Sequence, residues 1–138
     1  MSTVLVPVDG SAIALRAVEY AAGLAKRLSA DVWVLNVQLP VRAGEKDIDR
    51  TDIDRYLQAQ GQPIVDAATA ILRQQGIPHQ ARVAIGEIAQ TIVATAQEVG
   101  AQQIVMGSRG VSALAGLVLG SNAMKVIHLA HVPVTIVK

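Results

Sequence analysis

Five short β-rich segments alternate with longer stretches of helical spacing along this chain of 138 residues. The β-rich segments cover residues 3–8, 31–37, 79–85, 103–106 and 132–137, and helical periodicity covers residues 11–29, 53–75, 87–99 and 122–130. The first, second and fourth β-rich segments are almost continuously apolar, which is typical of parallel strands covered on both faces. The alternation therefore predicts an α/β fold, a doubly wound five-stranded parallel sheet with helices on both faces.

Two stretches of the sequence carry further structural expectations. Gly61 and Pro63 lie near the start of the second helical stretch and are expected to break or kink it. Residues 42–55 (RAGEKDIDRTDIDR) are rich in charge and have little to bury, so they predict a mobile surface segment. The alternative is a solvated loop followed by the start of a helix. Because the chain has no internal repeat, low-complexity tract or linker, we expect a single domain over residues 1–138.

Basic and acidic residues nearly balance, twelve against eleven, and neither sign forms a long run. That balance argues against nucleic acid or an anionic bilayer as the main partner. The sequence has no cysteine, which excludes thiolate metal sites and thiol catalysis. No stretch approaches the roughly 20 apolar residues of a membrane span, and Asp9 and Gly10 interrupt the first apolar run before a signal-peptide core can form. We therefore expect a cytoplasmic protein without membrane insertion.

The turn after the first β-rich segment is a candidate binding site. In an open doubly wound sheet, ligands bind beyond the carboxyl ends of the strands, where neighbouring connections leave in opposite directions. Here the first strand is followed by Asp9, Gly10 and Ser11, so a carboxylate and a flexible glycine meet at the entrance to a helix. Alternatively, Asp9 or Ser11 is simply the N-cap of that helix. Both roles stay open at this point.

The connection after the fourth β-rich segment is a candidate anion-binding loop. It begins with Gly107-Ser108-Arg109-Gly110 and ends at Gly120-Ser121, and its unusual length calls for a reason. Glycines at 107, 110 and 120 would permit positive φ and close backbone approach to an anion. The helix N-terminus would add N–H groups, Ser121 a hydroxyl and Arg109 a charge. The alternative is an ordinary glycine-rich surface loop with an exposed arginine.

Sharper phosphate, metal and catalytic motifs are missing from the sequence. No glycine is followed by lysine, so there is no P-loop, and no G-x-G-x-x-G follows a β-rich segment. His79, His128 and His131 lack metal-ligand spacing, so we predict no protein metal site and no catalytic residue. We expect His128 and His131 to lie near the C-terminal carbonyls of the last helix instead.

Together, these residues resemble the universal stress protein family, in its ATP-binding subgroup. The similarity rests on VPVDGS at residues 6–11, IVMGSRG at 104–110, GS at 120–121 and PV at 133–134. The family's ATP-binding signature, G-x2-G-x9-G-[ST], is matched by Gly107, Gly110, Gly120 and Ser121. The resemblance implies a parallel sheet of order 3-2-1-4-5, in which the first and fourth strands are neighbours.

The resemblance also implies which residues form a nucleotide pocket. An acidic side chain would contact the ribose or adenine, an apolar group would pack on the adenine ring, and a third group would hold the ribose and phosphates. The acidic side chain is Asp9, and the residues on the adenine ring are Pro7, Val37 and Met106. The residues that hold the ribose and phosphates are Gly107, Arg109, Gly110, Gly120, Ser121 and the backbone N–H of Asn122. Because the sequence has no Phe, aliphatic side chains would have to hold the adenine.

The function implied by the resemblance is nucleotide-dependent regulation or signalling in a stress response. The ligand would be ATP, or else AMP or ADP, with Mg²⁺. The chain would form a homodimer through its last strand, from Val132 to Val137. It would also act on an unknown partner protein. Two alternatives stay open: a slow ATPase or autophosphorylating enzyme, and a dimeric interaction module that needs no nucleotide. The lack of an obvious base argues against efficient turnover, and an apolar edge strand favours pairing with another chain.

Overall fold

The computed structural model describes residues 2–41, 49–110 and 119–138. Its five strands are β1 (Thr3–Pro7), β2 (Asp31–Gln38), β3 (His79–Ile85), β4 (Gln103–Gly107) and β5 (Val134–Val137). Its four helices are α1 (Ala12–Leu28), α2 (Arg50–Gln74), α3 (Ile88–Val99) and α4 (Ser121–Leu129). Every predicted element is present among the described residues, with ends that differ from the prediction by three residues or fewer.

All five strands are parallel and form one sheet of order β3-β2-β1-β4-β5. The predicted fold class and strand order are therefore confirmed. Strands β1 and β4 are buried through most of their length, as their continuous apolar sequences predict. One hydrophobic core packs α1 and α2 on one face of the sheet, and a second packs α3 and α4 on the other. Since β1 and β4 are parallel neighbours, the loops that follow them meet at the carboxyl ends of the strands.

The second helix contradicts the expectation of a break at Gly61 and Pro63. Helix α2 runs without interruption from Arg50 to Gln74, with both residues inside it. Pro63 cannot donate a hydrogen bond, but its side of the helix faces solvent, where water can satisfy the carbonyl that it leaves unpaired. Gly61 faces the sheet, where a side chain would collide with β2 and β3. Tertiary packing therefore overrides the low helix propensity of both residues.

The charged segment 42–55 divides into two parts. Residues 42–48 lie outside the described ranges, so the predicted mobility there stays a prediction. Asp49 is the N-cap of α2, because its Oδ1 accepts the backbone N–H of Thr51 at 3.0 Å. The remainder, from Arg50 onward, is helical, in agreement with the alternative of a solvated loop followed by a helix start. None of the helices over the described ranges has both the length and the apolar composition to cross a bilayer.

Candidate functional site

A cavity of about 320 Å³ opens at the carboxyl ends of β1, β2 and β4. All ten residues predicted for the pocket line it, although they come from four separate parts of the sequence. They are Pro7, Asp9, Val37, Met106, Gly107, Arg109, Gly110, Gly120, Ser121 and Asn122. The topological switch point of the sheet lies between β1 and β4, where the connections leave in opposite directions. It therefore brings together an apolar group, a carboxylate, a guanidinium and a helix N-terminus.

The turn after β1 contains the N-cap of α1 and also reaches the cavity. Ser11 is the N-cap of α1, with its Oγ accepting the backbone N–H of Ala14 at 3.1 Å. The Oδ1 of Asp9 accepts the backbone N–H of Ser11 at 3.0 Å, and Asp9 also lines the cavity. Gly10 lies between them with a φ of 90°, a conformation that favours glycine. Asp9 thus stabilises the entrance to α1 and presents its carboxylate to the cavity.

The glycines of the β4 loop are needed for space, not for positive φ. Gly107, Gly110 and Gly120 all lack the left-handed φ that the sequence suggested. A β-carbon on Gly107 would lie 2.5 Å from Cγ2 of Ile13, and one on Gly110 would lie 2.5 Å from Oδ2 of Asp9. The absence of side chains lets the β4 loop approach the turn after β1 and leaves the cavity open between them.

The N-terminus of α4 forms the polar end of the cavity. Its N-cap is Gly120, which has no side chain to accept the first N–H groups of the helix. The N–H of Gly120 donates to the carbonyl of Ser108 at 2.6 Å, which fixes the helix against the β4 loop. The backbone N–H groups of the first turn carry a partial positive charge suited to an anion. Arg109 lines the same end of the cavity.

The apolar end of the cavity contains residues that the sequence analysis missed. Pro7, Val37 and Met106 are joined there by Leu35 of β2 and by Ile88 and Ile92 of α3. Ile88 and Ile92 are spaced by four residues and lie on the inner face of α3, so helical periodicity places them in the core without distinguishing a core position from a cavity wall. No aromatic side chain lines the cavity among the described residues.

The donors at the site do not form a protein cage for a metal. Within the described ranges, no group of three or more His, Asp or Glu side chains could hold an ion. Among the described lining residues, the side-chain oxygen donors are the carboxylate of Asp9, the hydroxyl of Ser121 and the side-chain oxygen of Asn122. Such a set suits a hard cation held mainly by a phosphate ligand and water.

Comparison with known proteins identifies the family. A family model described as the universal stress protein family matches residues 1–138. Universal stress protein YxiE of Bacillus subtilis is 33% identical over 145 aligned residues, covering 97% of each chain. A universal stress protein solved in complex with cAMP has a TM-score of 0.78 and 28% identity, over 99% of this chain and 97% of that chain.

A second solved structure is the universal stress protein from Archaeoglobus fulgidus in complex with dAMP. It has a TM-score of 0.74 and 28% identity, and the alignment covers 100% of this chain and 98% of that chain. The family model, the sequence relative and both structures extend over nearly the whole chain, in agreement with the strand order and the cavity at the switch point. The chain therefore belongs to the universal stress protein family.

Proposed function

We propose that this chain binds an adenine nucleotide, ATP in the first instance, in the cavity at the switch point and regulates a partner protein according to its nucleotide state. The observation that carries the proposal is that one cavity is lined both by aliphatic side chains and by a helix N-terminus with Ser121 and Arg109. The complexes of two family members with cAMP and dAMP support an adenine nucleotide as the ligand class. Triphosphate preference rests on the signature glycines and on Arg109.

The two ends of the cavity match the two parts of the proposed ligand. The adenine ring would pack between aliphatic side chains of β2, β4 and α3, notably Val37, Met106 and Ile88. The ribose would lie beside Asp9, whose carboxylate can accept hydrogen bonds from hydroxyl groups. The phosphates would reach the N-terminus of α4, with Ser121 and Arg109 donating to their oxygens. This orientation places each charge of the nucleotide against a group of opposite polarity.

Magnesium fits this arrangement as a companion of the nucleotide. Mg²⁺ generally keeps several waters and is held by one or two carboxylates together with phosphate oxygens. Asp9 and Ser121 are the residues that would supply protein oxygens to it. When bound, the ion would neutralise part of the phosphate charge.

The charges of the described residues that line the cavity favour binding over hydrolysis. Asp9 and Arg109 are the ionisable side chains among the described lining residues, and Asp9 already accepts the N–H of Ser11. Of the two internal stretches outside the described ranges, residues 111–118 (VSALAGLV) contain no ionisable side chain, whereas residues 42–48 (RAGEKDI) contain four. Efficient phosphoryl transfer usually employs a positioned base and several cations. We therefore assign the nucleotide a regulatory role rather than the role of a substrate.

Isothermal titration calorimetry tests the proposed function. We expect saturable binding of ATP, and we expect Arg109→Ala to weaken ATP binding about 10-fold because a charge-assisted hydrogen bond to phosphate is lost. Adenosine, which has no phosphate, should bind the variant and the unmodified chain equally. Arg55→Ala, a change on the exposed face of α2, serves as the matched control. Absence of ATP binding to the unmodified chain would refute the proposal.

We also propose that the chain forms a homodimer through β5. The Pro133 carbonyl accepts the N–H of Ile104, and the Val137 carbonyl accepts the N–H of Ser108. Since groups alternate along a strand, the N–H groups of Val134 and Ile136 point away from β4, toward an open edge. The strand itself begins at Val134, so Val132 and Pro133 lie just before the proposed pairing segment.

The opposite edge of the sheet is less suited to pairing. The side chain of Gln58 on α2 donates to the carbonyl of Val83 in β3 at 3.0 Å and so occupies an acceptor on that edge. Arg82 stacks over the ring of Trp33, 4.9 Å from its centroid, and forms an ion pair with Glu98 of α3. These side chains cover part of β3, whereas the residues of β5 are all uncharged.

Val134→Pro is expected to convert the dimer to a monomer. Proline is tolerated at the first residue of an edge strand, and here it would remove an outward N–H donor while leaving the bonds of Pro133 and Val137 to β4 in place. Sedimentation velocity at micromolar concentration is the measurement. Ala81→Pro, at an outward-facing position of β3, is the matched control and should stay dimeric. A monomeric unmodified chain would refute the dimer, and a dimer with no ATP binding would favour a nucleotide-independent interaction module.

A further inference from the structure

Asn36 is a polar side chain buried in the middle of β2, with 2% of its surface exposed. Its Nδ2 donates to the carbonyl oxygen of Val8 at 2.9 Å, and its Oδ1 accepts from Nε2 of Gln38 at 2.8 Å. The Val8 carbonyl can only accept, so it fixes which end of the amide faces it. Asn36 does not line the cavity.

The hydrogen bond from Asn36 holds the peptide unit that joins Val8 to Asp9. Val8 lies one residue beyond the end of β1 and is itself buried, with its N–H donating to the carbonyl of Leu35 at 2.8 Å. A buried carbonyl without a partner is costly, so the amide of Asn36 supplies a bond that this backbone position requires. The side chain thereby fixes the plane of the peptide that leads into Asp9.

Asp9 contacts both loops that border the cavity, the turn after β1 and the loop after β4. Its Oδ1 accepts the N–H of Ser11, in the turn that opens α1. Its Oδ2 lies so close to Gly110 that a β-carbon there would be 2.5 Å away. A rotation of the peptide before Asp9 would therefore shift the carboxylate relative to both the β1 turn and the β4 loop.

We propose that Asn36 is a positioning residue for the nucleotide site, acting through the Val8 carbonyl on the carboxylate of Asp9. This inference rests on the proposed nucleotide binding and adds a residue that never touches the ligand. Gln38, which donates to Asn36, keeps the amide in the orientation that Val8 needs. Hydrogen bonds thus connect Gln38, at the half-buried end of β2, through Asn36 to Val8, and the next residue, Asp9, lines the cavity.

Asn36→Ala is expected to weaken ATP binding about 10-fold, because the freed Val8 carbonyl lets Asp9 leave its position. Thr69→Ala is the matched control: Thr69 is similarly buried, its Oγ1 donates to the Asp66 carbonyl at 3.2 Å within α2, and it does not line the cavity. Gln38→Ala, at a half-buried position with little risk to folding, should weaken ATP binding in the same direction by a smaller factor.

A double-mutant cycle with Asp9→Ala separates positioning from general stability. If Asn36 acts through Asp9, Asn36→Ala should weaken ATP binding less than about 2-fold once Asp9 is removed. In the ligand-free chain, Asn36→Ala should also speed hydrogen exchange of the Ser11 amide, which Thr69→Ala should not.

Each outcome of these measurements decides a separate question. An equal loss of ATP affinity from Asn36→Ala with and without Asp9, or an unchanged Ser11 amide, overturns the positioning role alone. Failure of the unmodified chain to bind ATP overturns the proposed function and with it this inference. Should Asn36→Ala fail to fold, unchanged ATP affinity in Gln38→Ala overturns the positioning role.

Discussion

Gly120→Val is expected to reduce ATP affinity by at least about 100-fold, which corresponds to about 2.7 kcal/mol of binding free energy. A β-carbon at this position would lie 3.3 Å from Cα of Arg109 and 3.4 Å from the carbonyl oxygen of Ser108. Both are backbone atoms of the β4 loop, so the β-carbon alone requires the loop to shift by a few tenths of an ångström, and we expect the γ-methyl groups of valine to enlarge that movement. That movement would separate Arg109 from the helix N-terminus, the two groups that we propose bind the phosphates.

The fold should survive this substitution. The backbone of Gly120 has a φ of −73° and a ψ of 161°, an extended conformation that valine adopts readily, and the residue is only half-buried. Gly23→Val is the matched control, since a β-carbon there has no heavy atom from outside its own turn of helix within 4 Å. Calorimetric titration with ATP gives the affinities, and circular dichroism checks the fold. ATP binding by folded Gly120→Val at the affinity of the unmodified chain would contradict the proposed site.

The sequence predicts the architecture well because the parallel sheet imposes a strong pattern on it. Strands covered on both faces must be apolar throughout, and β1 and β4 read that way without ambiguity. The start of α1 was also predictable, since Ser11 is a side-chain acceptor of the kind that favours an N-cap. The start of α2 was missed because its first turn is charged and exposed, so periodicity gave no signal there.

The part of the candidate site that a sequence motif marks could be predicted. The residues that reach the site only through packing of the fold could not. The spacing of Gly107, Gly110 and Gly120 indicated the loop, but the positive φ expected of these glycines is wrong. The close approach of two loops, which does require them, leaves no trace in one sequence. Ile88 resembles any core residue of an amphipathic helix. Asn36 interrupts an apolar strand, which signals a buried polar group, but its partner is a backbone carbonyl 28 residues away.

Gly61→Val is expected to lower the free energy of unfolding by about 3 kcal/mol, at the upper end of the usual cost of overpacking. A β-carbon on Gly61 would lie 2.5 Å from Cγ1 of Val83 and 2.6 Å from Oδ1 of Asn36. Val83 is buried and β-branched, and Asn36 is held by two hydrogen bonds, so neither can rotate away. Helix α2 would have to lift from β2 and β3. Thermal denaturation should show a midpoint lower by about 10 °C.

Gly23→Val again provides the control, because Gly23 is also inside a helix and valine there meets no neighbour. Its stability should be unchanged or slightly higher, since valine has a better helix propensity than glycine. Val83→Ala should restore part of the stability lost in Gly61→Val, because the two side chains compete for one volume. Equal stability losses from Gly61→Val and Gly23→Val would contradict the close approach of α2 to the sheet. If Gly61→Val also displaces Asn36, its ATP affinity should fall with that of Asn36→Ala, which connects the packing of α2 to the position of Asp9.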